Sequence, residues 1–363
     1  MKIPYKNTNR FWRSSKGDVA KAIFDCVENN DSVGGSKVKI FEQRLKKYLG
    51  RSTAAVNSGS SALLSGFEAF KLKKGDKVVV PAIAPMEVPM TLSKIGCHII
   101  FTDCNLDNYT IDLRDLESKL APDTKAIICV DLFGHTCDYD AIKTLVKALW
   151  RGKFKVPIIQ VAFQSFGGKY KNKINGSYSD LTIFDFSPGN NLYCFGNGGA
   201  VAGSPDYTTV VSLSSNKGKS NDADLHDIIG WDCRMEDIQA NLLNLMIKKV
   251  DNDNVERQKI AQRYNKELKN GRRVETARWC TNVYSEYTVL IKHSKSVVTK
   301  LNEVGIDAKI SFSKPCHLQP IYNLKWKLPN SVLVSDQMIG LPIWPRMTDA
   351  EVSFVIEQFN KIT

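Results

Sequence analysis

The sequence predicts an α/β protein in which a mostly parallel central sheet is covered by helices and followed by a smaller C-terminal α+β domain. Short apolar runs alternate with helix-spaced stretches as far as about residue 205, the pattern of parallel strands joined through helices. A long amphipathic stretch follows from Met235 to Leu268. At 363 residues the chain is too long for one small core. It divides into a large domain over 1–235, which holds the expected site, and a smaller unit over 236–363 that begins with the long helical stretch.

The elements follow in order. GDVAKAIFDCVENND, from Gly17, has helical spacing. KVKIFEQRLKKYLG places Phe41, Leu45 and Tyr48 or Leu49 on one face and closes on Gly50, which predicts a helix with a glycine stop. AAVNSGSSALLSGFEAF reads as a short strand, a Gly-Ser turn and a helix. KVVVPA, HIIFTDC, AIICVDLFG, VPIIQVAF and LTIFDF are the next strands, separated by helices such as LRDLESKL and YDAIKTLVKAL. The stretch from Met235 reads as one helix, or as two joined near Asn252 to Asn254. Beyond it EYTVLI predicts a strand and SVVTKLNEVG a helix, and LPIWPRMTDAEVSFVIEQF closes a Pro-rich tail.

Composition narrows the function classes. With 43% hydrophobic and 24% charged residues the chain has apolar surface enough to bury. No uninterrupted apolar run nears the ~18 residues of a membrane span, and MKIPYKNTNRFWRSSKGD lacks the apolar stretch of a signal peptide. A cytoplasmic protein without membrane insertion is expected. Nine cysteines, an odd number with no CxxC pair, fit buried thiols better than a disulfide frame or a zinc site. Five scattered histidines make a sequence-local metal cluster an unfavourable reading, so no metal is expected. The formal charge of +12 is spread among acids, with only short basic clusters such as KLKKGDK. It suits a surface that attracts small anions, a nucleotide sugar among them, better than nucleic acid.

SGSSAL, at 58 to 63, puts Gly59 and Ser60 between a strand and a helix. Free backbone amides there can hold a phosphate, or Ser and Gly can simply cap the helix. His135 follows Gly134 after a buried strand, where parallel sheets place ligands, and is an acid/base candidate. Cys194 and Cys233 have no evident activating neighbour and read as small core residues.

Taken together, these segments resemble the DegT/DnrJ-like family of nucleotide-sugar aminotransferases, pyridoxal phosphate enzymes of fold type I, over nearly the whole chain. NSGSSALLSGFEAF is similar to the family's phosphate turn and KKGDKVVVPAIAP to its Gly-Asp-x-Val strand. TDCNLDNYTIDLRDLESKLAPDTKAIICVDLFGHTCDYDAI resembles its central block. GWDCRMEDIQANLLNLMIKKVD, KPCHLQPIY and LPIWPRMTDAE resemble its later signatures. The resemblance implies a fold-type I aminotransferase fold and a homodimer with shared sites.

FDFSPGNNLYCFGNGGAV departs from that pattern. The family's Schiff-base Lys falls on Asn190, whose amide lone pair is delocalised and not nucleophilic. The Asp that pairs with the pyridinium nitrogen falls on Val161. The phosphate-binding Ser falls on Asp185, a carboxylate where a dianion would sit, and the stacking aromatic falls on Pro85. Gly59, Ser60, Gln164, Arg234 and His317 keep the family pattern. The expectation is a chain that uses no cofactor, pyridoxal phosphate binding being lost.

In such a vacated pocket the resemblance brings together Asp185, His135 and His317 as catalytic candidates. Gly59, Ser60, Glu87, Gln164, Asn190 and Asn191 bind substrate, with Asp232 and Arg234 contributed by a partner subunit. Asp185 is a general base or an orienter of a His, or else a strand-end carboxylate capping the Ser187 to Asn190 turn. His317 contacts the ligand or packs in its loop. The expected function is acyl or amide transfer, or isomerisation, on a nucleotide-linked amino or keto sugar, with a second small-molecule donor for the transfers, in the building of bacterial surface polysaccharide. The alternatives are a non-catalytic homologue that binds a sugar nucleotide and regulates an active aminotransferase, and a dehydratase or aminotransferase that uses pyridoxamine phosphate through unusual ligands.

Overall fold

The computed structural model describes residues 1–149, 155–220 and 225–363. Its centre is a seven-stranded sheet in the spatial order Ser52–Val56, Gly199–Gly203, Leu181–Asp185, Ile158–Val161, Thr124–Val130, Lys77–Pro81, His98–Thr102. The strands from Leu181–Asp185 to His98–Thr102 run parallel. Gly199–Gly203 is antiparallel to both its neighbours. The interior strands are mostly apolar on both faces because both faces are covered. Val78 and Val80 pack on one side with Ala62, Leu63 and Phe67, and Val79 packs on the other with Tyr139 and Ile142.

Local sequence explains the covering helices. Ser36–Leu49 buries Val38, Phe41, Leu45 and Leu49, one stripe at helical spacing, and stops at Gly50, whose φ of 69° is left-handed. Each such fully buried side chain stabilises the fold by about 1.5 to 3 kcal/mol. Gly59–Ala69 is capped by Ser58, whose Oγ accepts from the Ser61 amide at 3.0 Å. The amphipathic stretch after Met235 forms two helices, Asp237–Met246 and Val250–Glu267. The joint lies at Ile247 to Lys249, earlier than the Asn252–Asn254 expected, because Asp253 and Asn254 are buried inside the second helix.

A second, antiparallel sheet of Arg272–Arg273, Tyr287–Leu290 and Met338–Leu341 forms the smaller layer. Val289, Ile339 and Leu341 share a core with Ile260 and Tyr264 of one helix and Phe359 of another, Asp349–Ile362. The N-terminal segment joins this layer. The Ile3 amide donates to the Gly305 carbonyl at 2.8 Å and the Ile3 carbonyl accepts from Asp307 at 2.9 Å, so Ile3 lies buried in the same core. Among the described residues no helix is long and apolar enough to cross a membrane.

Candidate active site

A cleft of about 490 Å³, within the range of small-molecule sites, opens between the two layers. Its floor is built at the carboxyl ends of parallel strands, where open α/β sheets receive ligands. Pro85 and Glu87 follow Lys77–Pro81, Phe163 and Gln164 follow Ile158–Val161, and Asp185 ends its strand. The opposite wall comes from Tyr5 and Lys6 of the N-terminal segment and from Glu286 and Lys309 of the smaller layer.

Asp185 organises the loop that follows it. Its carboxylate accepts from the Ser187 amide at 3.0 Å, from Ser187 Oγ at 2.6 Å and from Asn190 Nδ2 at 2.9 Å. This is the turn-capping role weighed above, and it holds Asn190 against the strand end. The same carboxylate lies over the start of Gly59–Ala69. A Cβ at Gly59 would stand 2.6 Å from the Asp185 Cβ, so only glycine permits that approach. Asp185 thus puts a negative charge at the positive end of the helix, the place an anionic group of a ligand would otherwise take.

Glu286 organises the other wall. It accepts from Tyr5 Oη at 2.7 Å, Ser311 Oγ at 3.0 Å and Gln164 Nε2 at 3.4 Å. Gln164 is oriented for this contact because its Oε1 accepts from the Phe133 amide at 2.8 Å. Two cations lie over the Tyr5 ring, Lys6 Nζ 5.8 Å and Lys309 Nζ 4.9 Å from its centroid. Lys6 Nζ donates to the Ser285 carbonyl. Burial, with the nearby charges of Arg257 and Lys309 and against the pull of Glu286, lowers the Lys6 pKa to about 8.

The structure brings together Asp185, Asn190, Glu87 and Gln164 in this cleft. It keeps the other expected residues out of the lining. Gly59 is packed under Asp185, and Ser60 is exposed on the helix. Asn191 is buried and donates to the Phe166 carbonyl and to Asn254 Oδ1. His135 is buried with Nε2 2.7 Å from Asn282 Nδ2, and burial pushes its pKa down to about 3. His317 is buried beside Phe101, which also lowers its pKa. Asp232 pairs with Arg234 at 3.2 Å and with Lys217 at 3.0 Å on the surface. The reading of the sequence missed Lys6, Glu286 and Lys309. The only local signal for Glu286 was an acid at the start of EYTVLI, and none marked the lysines.

The DegT/DnrJ/EryC1/StrS aminotransferase family matches residues 14–360. A UDP-2-acetamido-2-deoxy-3-oxo-D-glucuronate aminotransferase of Pseudomonas aeruginosa is 29% identical over 94% of each chain. The crystal structure of Streptomyces venezuelae DesV in complex with a ketimine intermediate is 26% identical, covers 99% of this chain and 98% of its own, and has a TM-score of 0.94. A putative sugar aminotransferase of Streptococcus pneumoniae, Spr1654, solved in its PLP form, has a TM-score of 0.89 at 22% identity, covering 95% of this chain and 96% of its own.

These findings overturn the expectation of a chain without cofactor, since the family and its structural neighbours are pyridoxal phosphate enzymes. The physical reason is that the substitutions remove single contacts while the backbone that shapes the cleft is kept throughout. Asn190 rules out a covalent bond at that position and leaves non-covalent binding open. The cleft residues fit such a group held in that way, with the cations Lys6 and Lys309 available to anionic oxygen and Gln164 fixed on the floor. Val161, buried in its strand, supplies no carboxylate to a ring nitrogen.

Proposed function

The chain belongs to the DegT/DnrJ/EryC1/StrS aminotransferase family, and from that premise we propose that it transfers an amino group to or from a nucleotide-linked sugar in the cleft between Asp185 and Glu286. The observation that carries this reading is the cleft itself, at the carboxyl ends of the strands, with cations on one wall and a fixed amide and carboxylates around them. When bound, a pyridoxal phosphate-type group supplies the electron sink for amine chemistry. The chain's own residues do the rest. Lys309 attracts anionic oxygens, Glu286 and Gln164 hold one orientation, and Asp185 fixes the loop that carries Asn190.

The second small molecule in this reading is the donor or acceptor of the amine. The product serves bacterial surface polysaccharide, as the sequence reading expected. Asp232 and Arg234 face a partner subunit in a homodimer. Ile229, 90% exposed, and Trp231, 52% exposed, lie beside them and support such an interface.

The test is an absorbance scan from ~320 to ~450 nm after adding pyridoxal phosphate or pyridoxamine phosphate and dialysing, with calorimetric titration of a nucleotide-linked keto sugar. Retained chromophore and saturable sugar binding are expected. A colourless protein that binds no nucleotide sugar sinks the proposal. The amide at 190 favours one second reading, a sugar-nucleotide-binding homologue that regulates an active enzyme. Sugar binding without turnover, together with a stoichiometric complex with such an enzyme, would select it.

A further inference from the structure

We propose that Lys6 is a carbonyl-capturing residue of the cleft, its amine forming an imine with an aldehyde or ketone carried by an anionic ligand. The inference rests on the reading of the cleft as a site of amine chemistry. Residue 190 brings an amide to this cavity, yet the cavity is not without amines, because Lys6 and Lys309 both line it. Among the described residues neither lysine has a carboxylate within ion-pair distance. Glu286, the nearby acid, is already engaged by Tyr5, Ser311 and Gln164.

The two amines are not equivalent. Lys6 Nζ is tethered to the Ser285 carbonyl, which fixes its position at the wall. Its pKa falls to about 8, so that a useful fraction is neutral near physiological pH and carries a free lone pair. Lys309 rests over the Tyr5 ring on the same wall and is placed to meet the ligand's anionic part. The tether to Ser285 comes from the N-terminal segment lying along the smaller layer, which delivers Lys6 from outside the strand-end loops that carry Asn190.

The step balances without an external oxidant or reductant. The neutral amine attacks the carbonyl carbon, and a proton passes from nitrogen to the former carbonyl oxygen. The carbon–oxygen bond then breaks, and water leaves with the second amine proton. The shared chemistry is an aldehyde or ketone on an anion. Its source is either pyridoxal phosphate or the nucleotide-linked keto sugar.

The experiment is borohydride trapping on the full chain, with pyridoxal phosphate in one arm and a dTDP-linked 4-keto sugar in the other, read by peptide mass spectrometry. The expected result is a reduced adduct on Lys6 in at least one arm, whose mass identifies the source. Labelling should rise with pH to half its maximum near pH 8. It should be lost in Lys6→Arg, which keeps the charge but not the nucleophile, with the melting temperature unchanged. Lys6→Met is the second variant and should lose the adduct as well. An adduct confined to Lys309 or to lysines outside the cleft overturns the inference, as do no adduct in either arm and equal labelling of Lys6→Arg. If the sugar binds and turns over while Lys6 stays unlabelled, this inference alone fails. If no sugar binds, the proposed function fails while the pyridoxal phosphate arm still decides the role of Lys6.

Discussion

Asn190 donates its side-chain amide to the Asp185 carboxylate at 2.9 Å, so the position where relatives are expected to carry a lysine is tied to an acid five residues earlier. A lysine introduced at 190 would meet that acid and be held in its charged form, because an opposite charge within a few ångströms raises an amine's pKa. Asn190→Lys alone is therefore expected to give no borohydride-trappable adduct at residue 190 with pyridoxal phosphate. The double variant Asn190→Lys with Asp185→Ser is expected to give one. Peptide mass spectrometry after reduction reads both, and a strong adduct in the single variant would contradict the pairing.

Asp185→Ala removes the acceptor of three hydrogen bonds in a partly exposed turn. The expected loss is about 1 to 2 kcal/mol in urea unfolding. The same change lifts a like charge from the helix start, so inorganic phosphate should bind about tenfold more tightly, close to the ~1 kcal/mol of a unit-charge interaction at ~4 Å in water. Calorimetry checks the second effect separately from the first.

Gly59→Ala tests the close approach directly. The added methyl would stand 2.6 Å from the Asp185 Cβ, so one of the two must shift. A loss of about 1 to 3 kcal/mol is expected from overpacking, against the small gain that alanine brings to an exposed helix. Combining it with Asp185→Ser, which leaves a Cβ but removes the carboxylate, should recover less than half of that loss. A full recovery would place the clash on the carboxylate rather than on the Cβ.

The Lys6 pKa, lowered from 10.5 to about 8, makes a stability prediction. In the unfolded chain the amine keeps its proton to higher pH, so between about pH 8 and 10.5 the unfolded state binds more protons and this group's contribution to stability rises with pH. Below pH 8 the burial penalty is present in full. Lys6→Met should be relatively more stable than the parent at pH 7, and the difference should shrink toward pH 10. Urea midpoints at the two pH values decide it.

His135 acts at the other end of the scale. Its pKa of about 3 in the fold lies below the ordinary 6.5, so its contribution is complete above pH 6.5 and fades as pH falls toward 3. His135→Gln, which cannot take up a proton, should flatten the loss of stability in that range. A parallel acid-unfolding curve for the variant would mean that carboxylates alone govern it.

The repeating apolar runs exposed the central sheet to the sequence reading because parallel strands, buried on both faces, leave few polar positions, such as Gln160 and Thr182, to confuse the pattern. Gly50 marked a helix end because a left-handed residue was needed there. The joint after Met246 was misplaced because burial of Asp253 and Asn254 against neighbouring elements is a tertiary fact, invisible in amphipathic spacing. Four cleft residues, Glu87, Gln164, Asp185 and Asn190, were legible through the family resemblance, whereas strand-end position alone pointed to His135, which is buried away from the cleft. Lys6, Glu286 and Lys309 were not, since they enter the cleft only when the N-terminal segment and the smaller layer dock. The loss of cofactor was read from individual substitutions, and the shared backbone carried more weight than they did.

The ladder that ties Ile3 to Gly305 and Asp307 joins positions some three hundred residues apart, Tyr5 to Asp307 spanning 302. Closures of that separation come late when a chain condenses, because the intervening loop must first be organised. The cleft is then expected to be completed late in folding, after both of its layers exist. On refolding from urea, helical signal should return before the chain recovers its capacity to bind a ligand, and the delay between the two measures how long the strand-end floor waits for its opposing wall.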